Sequence, residues 1–111
     1  MIEKIVLDYL TSKMATEVYM EVPEQMPEKF ITIELTAGIS ENKVRSSNIA
    51  VQSWANSLYD AAELSEAVIA AMDELPFHAN VGGCKLIRNY NFTDTDTKKY
   101  RYQAVFSITH Y

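Results

Sequence analysis

The chain is short of the residues that cross-linked, catalytic and nucleic-acid-binding proteins depend on. One cysteine, Cys84, stands among 111 residues, so no internal disulfide can form, which fits a reducing cytoplasm. Two histidines are present, His78 in a loop and His110 near the C-terminus. Neither pairs with an evident Ser or Cys nucleophile, and surface or structural roles are expected for both. Lys and Arg total 10 against 15 Asp and Glu, a formal net charge of -5. That balance argues against a general nucleic-acid binder, because neutralising phosphates requires clustered positive side chains. No stretch approaches the roughly 20 uninterrupted apolar residues of a membrane span. Glu3, Lys4 and Asp8 break the N-terminal apolar stretch, so no targeting segment is expected. The sequence contains no internal repeat, low-complexity tract or linker.

What is present is the material of a folded core. Hydrophobic residues make up 48% of the chain, with seven Tyr and four Phe, and the length predicts one domain over 1–111. The organising stretch is Asn48 to Leu75. Over 48–55, Ile49, Val51, Ser53 and Ala55 alternate with Ala50, Gln52 and Trp54, the period of a strand. At Asn56 the period changes. Ser57 is a good N-cap, and Asp60 three residues on suits the positive end of a helix dipole. Ala61, Leu64, Val68, Ala71, Met72 and Leu75 then fall at helical spacing, with Leu58, Ala62 and Ile69 widening the stripe and Pro76 stopping the helix. So broad an apolar arc must lie against a sheet on one side and a second element on the other.

Around this centre, residues 2–14 read as a first helix and 17–22 as a short strand ended by Pro23. Residues 29–37 form the next strand, with Ile31, Ile33 and Leu35 toward the core and Phe30, Thr32 and Glu34 away from it. The polar connection 38–47 predicts a long hairpin with a mobile tip. A loop closing on a tight Gly82-Gly83 turn leads to a strand over 84–93, the tip 94–98 and a last strand over 99–111. The order α-β-β-β-α-β-β predicts an α+β fold, a mainly antiparallel sheet of four to five strands with two helices on one face.

Candidate chemistry is sparse. Cys84 follows two glycines but opens no helix that would lower its pKa, so a half-buried strand residue is the better reading. Gly82-Gly83 with Lys85 lacks the phosphate-loop frame. Asp94-Thr95-Asp96 has the first spacing of a calcium loop, yet Lys98 and Lys99 occupy the positions that should hold a ligand and a glycine. No catalytic, metal or cofactor site is expected, and the chain is not expected to be an enzyme. One feature does bear on function. The sheet face away from the helices would carry Phe30, Trp54 and Val105, more apolar bulk than a small monomer usually exposes. Either a long loop folds over them or, as expected here, a neighbouring subunit covers them.

The run Val51-Gln52-Ser53-Trp54-Ala55, followed by a Ser-Leu helix start and an Ala-rich acidic helix, resembles the bacteriophage tail-terminator, or tail-to-head joining, proteins. The frame agrees: an N-terminal helix, a Pro-bearing loop before Phe30-Ile31-Thr32-Ile33-Glu34, and a closing Arg101 to His110 strand. The resemblance implies an α+β domain that assembles as a homo-oligomeric, hexameric ring on the last ring of the tail tube. Such a ring stops tube polymerisation and offers a docking surface to the head-tail connector or stopper protein. Its place would be the head-proximal end of the virion tail, assembled in the host cytoplasm, without membrane contact. DNA would slide through the lumen without specific binding. On that reading Phe30, Thr32, Gln52, Trp54, Val105 and the edge strands make the subunit contact. The tips, with Glu41, Asn42, Lys43 and Arg45 on one and Asp94, Asp96, Lys98 and Lys99 on the other, dock axially or line the lumen. A head-completion or stopper protein is a rival of the same kind. A small α+β enzyme or ligand-binding module, with a pocket beside Arg88, Tyr90 and Tyr102, is a rival of another.

Overall fold

The computed structural model of the chain describes residues 2–41, 44–93 and 99–110, with backbone alone for 37–41 and 44–45. The elements run α1 (Ile2–Lys13), β1 (Val18–Tyr19), β2 (Phe30–Glu41), β3 (Val44–Ala55), α2 (Leu58–Asp73), α3 (Leu75–His78), β4 (Val81–Asn91) and β5 (Tyr100–His110). This is the expected α+β order, with one added helical turn. The five strands form one sheet in the order β1-β2-β3-β5-β4. Every pairing is antiparallel except the two-residue β1, which runs parallel to the start of β2.

α2 forms for the reasons visible in its sequence. Ser57 adopts an extended conformation and its hydroxyl accepts the Asp60 amide at 3.1 Å, satisfying one of the helix's orphan donors. Ala61, Leu64, Val68 and Met72 are buried against the sheet. Pro76 does end the long helix, but the chain then makes the single turn α3 with the proline in its first turn, where a missing N–H costs nothing. α1 packs beside α2 through Ile2, Val6, Tyr9 and Leu10, and both helices share one core with Ile31, Ile33, Ile49, Val51, Ala104, Phe106 and Ile108 of the sheet. Tyr9 pins the two helices together, its hydroxyl donating to the Ala71 carbonyl at 2.5 Å.

Two local expectations are corrected and one is borne out. Leu35 is 42% exposed and not a core residue, because the β2–β3 hairpin runs on past the helix layer, with a bulge between Leu35 and Ala37. The long hairpin expected over 38–47 does form, paired from Gly38↔Ser47 through Glu41↔Val44, and its tip lies outside the described residues. Gly82 and Gly83 make no turn. They lie inside β4 at a register shift between Val81 and Gly83, where a residue without a side chain suits a bulge.

Candidate functional surface

The sheet face turned away from the helices is built from two neighbouring rows of side chains that cross β2, β3, β5 and β4. Strand register sets the first: Thr32 lies opposite Gln52, Gln52 opposite Gln103, and Gln103 opposite Tyr90. Hydrogen bonds join the whole row. Thr32 Oγ1 donates to Gln52 Oε1 at 2.6 Å, Gln52 Nε2 donates to Gln103 Oε1 at 2.8 Å, and Gln103 Nε2 donates to the Tyr90 hydroxyl at 2.5 Å. Trp54 Nε1 closes one end on Thr32 Oγ1 at 3.0 Å, and Gln52 Nε2 also reaches Glu34 Oε2 at 3.3 Å. Buried amides are stable here because each one has a partner.

The second row is a stack. Phe30 lies opposite Trp54 with ring centroids 5.2 Å apart and planes 9° from parallel. Trp54 lies opposite Arg101, whose guanidinium sits 4.5 Å from the indole centroid and 4.4 Å from the Phe92 ring. Arg101 is therefore held between two aromatic faces, the arrangement in which a cation gains from both ring quadrupoles. Its Nε also donates to the Phe92 carbonyl at 2.9 Å. Tyr19 of β1 meets the far edge of Phe30 at 6.2 Å in an edge-on contact.

These rows correct the exposure expected of this face. Phe30 is 0% exposed and Trp54 5%, and Thr32, Gln52 and Val105 are likewise buried within a single copy. The segment after β1 supplies part of the roof: Met20 and Val22 wall a depression of about 260 Å³ whose floor includes Thr32, Gln52, Trp54 and Arg101. Lys99 straps the same loop down. Its ammonium donates to the Pro27 and Glu28 carbonyls at 3.0 and 3.1 Å and to Asn56 Oδ1 at 2.6 Å, so it anchors the start of β5. The long-loop alternative thus accounts for the aromatics, and the subunit contact assigned to Phe30, Thr32, Gln52, Trp54 and Val105 has no exposed side chains there to use.

The other sequence candidates fall into place singly. Glu41 and Arg45 pair within the hairpin as backbone, and their side chains, with Asn42, Lys43, Asp94, Asp96 and Lys98, lie outside the described residues. Tyr90 and Tyr102 sit opposite Gln103 and Asn91 in β4–β5 pairing, on alternate faces of the sheet, so they do not converge with Arg88 on one pocket. His110 is buried, its Nε2 2.7 Å from the Ser47 hydroxyl, and His78 stacks on Tyr9 at 5.9 Å. Cys84 is half-buried in β4; burial first and Asp73 second push its thiol from 9.0 up to about 11, the opposite of an activated nucleophile.

What sequence reasoning missed is how exposed the expected strand over 84–93 is. Residues 85–89 of β4 are all exposed, including Leu86 and Ile87 at 39% and 46%. The signal was there in the adjacent apolar pair Leu86-Ile87, which breaks strict alternation; the structure places Ile87 at a register shift between Leu86 and Arg88.

No protein-family profile matches the sequence, and no curated protein does either. Among solved structures, the fold is similar to a chain in the virion of a native gene transfer agent particle. That likeness has a TM-score of 0.76 at 15% identity and covers 97% of this chain and 92% of the other. It establishes the shared α+β fold over essentially the whole chain.

Proposed function

We propose that this chain is a structural protein of a phage-type virion, and within that class a tail terminator that caps the tail tube as a ring and presents the surface to which the head joins. The observation that carries the reading is the fold likeness to a chain of a gene transfer agent virion, which extends over 97% of this sequence and 92% of that chain. The sequence resemblance to tail-terminator proteins supports the finer assignment, from the Val51–Ala55 run into the capped helix that the structure places at the centre of the fold. A ring follows from a heterologous contact whose rotation closes. The hexameric stoichiometry, the tube protein and the connector as partners, and a lumen that passes DNA without specific contacts belong to this proposal.

Electron microscopy of particles assembled without this chain tests it. Tubes of uncontrolled length that fail to join heads are the expected result. Tails of normal length beside unjoined, leaking heads would move the chain to the head-completion position, and unchanged virions would refute a structural role at the neck altogether.

A further inference from the structure

With Phe30, Trp54 and the polar row buried within one copy, the strand edges become the surface that offers itself to a partner. β4 is an outer strand of eleven residues, and among the described residues no strand pairs with its far side. An antiparallel strand bonded on one side leaves alternate amides and carbonyls pointing outward along its free edge. Solitary proteins blunt such an edge with proline, charge or a bulge that turns a charge outward. β4 carries two register shifts and the charges Lys85 and Arg88, yet Leu86 and Ile87 between those charges are both exposed. An exposed apolar pair flanked by charges suits a neighbour of opposite charge.

The opposite edge of the sheet fits it. β1 covers β2 only at Ile31 and Thr32, so from Ile33 onward β2 is paired with β3 on one side and, among the described residues, with no strand on the other. Leu35, also exposed, offers an apolar side chain there. The charges are complementary: Lys85 and Arg88 are exposed on β4, whereas Glu34 on β2 and Glu17, Glu21 and Glu24 around β1 are exposed at the other edge. Two β4 edges would bring like charges together, and so would two β2 edges, so the contact is heterologous.

We infer that the partner of β4 is the β2 edge of a second copy of this chain, paired antiparallel, so that sheets continue from copy to copy. The direction follows from topology. β4 and β2 are antiparallel within one chain, being separated by two antiparallel steps through β5 and one more to β2. A rotation about an axis running along the strands preserves strand direction, so β4 meets the next β2 antiparallel. The inference rests on the ring reading only for the requirement that the contact close; the edge pairing stands on geometry and charge.

Charge reversal distinguishes this contact from any other. Lys85→Glu/Arg88→Glu makes both edges acidic, and Glu21→Lys/Glu34→Lys makes both basic. Sedimentation and negative-stain microscopy of the purified full chain are expected to show self-association for the wild type. Each variant alone should assemble about tenfold more weakly or worse, and an equimolar mixture of the two should recover wild-type assembly, because each β4 then meets an opposite β2. Ile87→Lys should block assembly of every mixture while leaving the melting temperature within about 2 °C, since Ile87 is largely outside the core. A wild type that stays monomeric at its solubility limit, reversals that leave assembly unchanged, or a mixture no better than its components would each overturn the edge contact. None of those results bears on whether tails overgrow without the chain, so the edge contact and the capping role fail separately.

Discussion

Replacing Gln52 with leucine isolates the worth of the buried polar row. Gln52 is 7% exposed and bonded to Thr32 and Gln103 at 2.6 and 2.8 Å. Leucine keeps most of the volume but neither bond, so the Thr32 hydroxyl proton and Gln103 Oε1 lose their partners in the row. At about 1–3 kcal/mol for each stranded buried group, the loss is about 2–6 kcal/mol. Burying leucine in place of an amide returns about 1.5–3 kcal/mol. The net expectation is a destabilisation of about 2 kcal/mol, a fall of about 8 °C in melting temperature for a domain of this size. Gln103→Leu should behave similarly, and the double variant should cost about 1–2 kcal/mol less than the sum, because it removes both ends of one bond. Thermal and urea unfolding of the four proteins measures all three quantities. A Gln52→Leu protein melting within about 2 °C of wild type, or strict additivity in the cycle, would refute the row as a coupled network.

Other perturbations follow the same bookkeeping of partners. Ser53 is buried on the helix-facing side and its hydroxyl has no hydrogen-bond partner among the described residues, so Ser53→Ala should stabilise the fold by about 1 kcal/mol in urea titrations. Met72→Ala should cost about 2–5 kcal/mol by opening a cavity between α2 and the sheet, whereas Tyr59→Ala, at a side chain 76% exposed, should change stability by no more than about 0.5 kcal/mol. The Cys84 thiol, raised from 9.0 to about 11, holds its proton more tightly folded than unfolded. Its contribution to stability is thus complete below the unfolded value and is lost as pH climbs through that window. Alkylation of the native chain at about pH 8 should run about 100-fold slower than in urea, since two pKa units remove that much thiolate.

Much of the fold was legible because its signals are local. Ser57 and Asp60 stand three residues apart, and the cap they announce is the one that forms. Alternation in 49–55 assigned the correct residues to opposite faces, and burial of Ile49 and Val51 under the helices follows directly. Alternation separates two faces, however, without saying what covers each. Phe30 and Trp54 looked like a surface awaiting a neighbour because their cover comes from residues remote in sequence. Arg101 lies over Trp54, and Lys99 ties down a loop 71 and 72 residues away. The polar row was hidden for the same reason: Gln52 and Gln103 are 51 positions apart, and nothing in either neighbourhood marks them as a pair. Leu35 misled differently. Its period was right, but a strand's period carries no information about where the opposing helix layer ends.

Burial of Phe30 and Trp54 within one copy separates stability from the proposed edge contact. Had the aromatic face been the contact, a subunit would be poorly stable until it met its neighbour, and substitutions at Trp54 would damage folding and assembly together. In the structure, Trp54 is stacked on Phe30 and bonded to Thr32 inside a single chain, so its stabilising contacts are already made before any partner arrives. The exposed edge side chains Lys85, Leu86, Ile87 and Arg88 contribute little to the core, which leaves them able to vary with the partner at small cost to the fold. On the proposed edge contact, a subunit so divided would accumulate as a stable, folded chain and join its neighbours through backbone groups that need no rearrangement to pair. Association by strand edges then loses little entropy to ordering, since β4 is already held in register by β5 along its inner side.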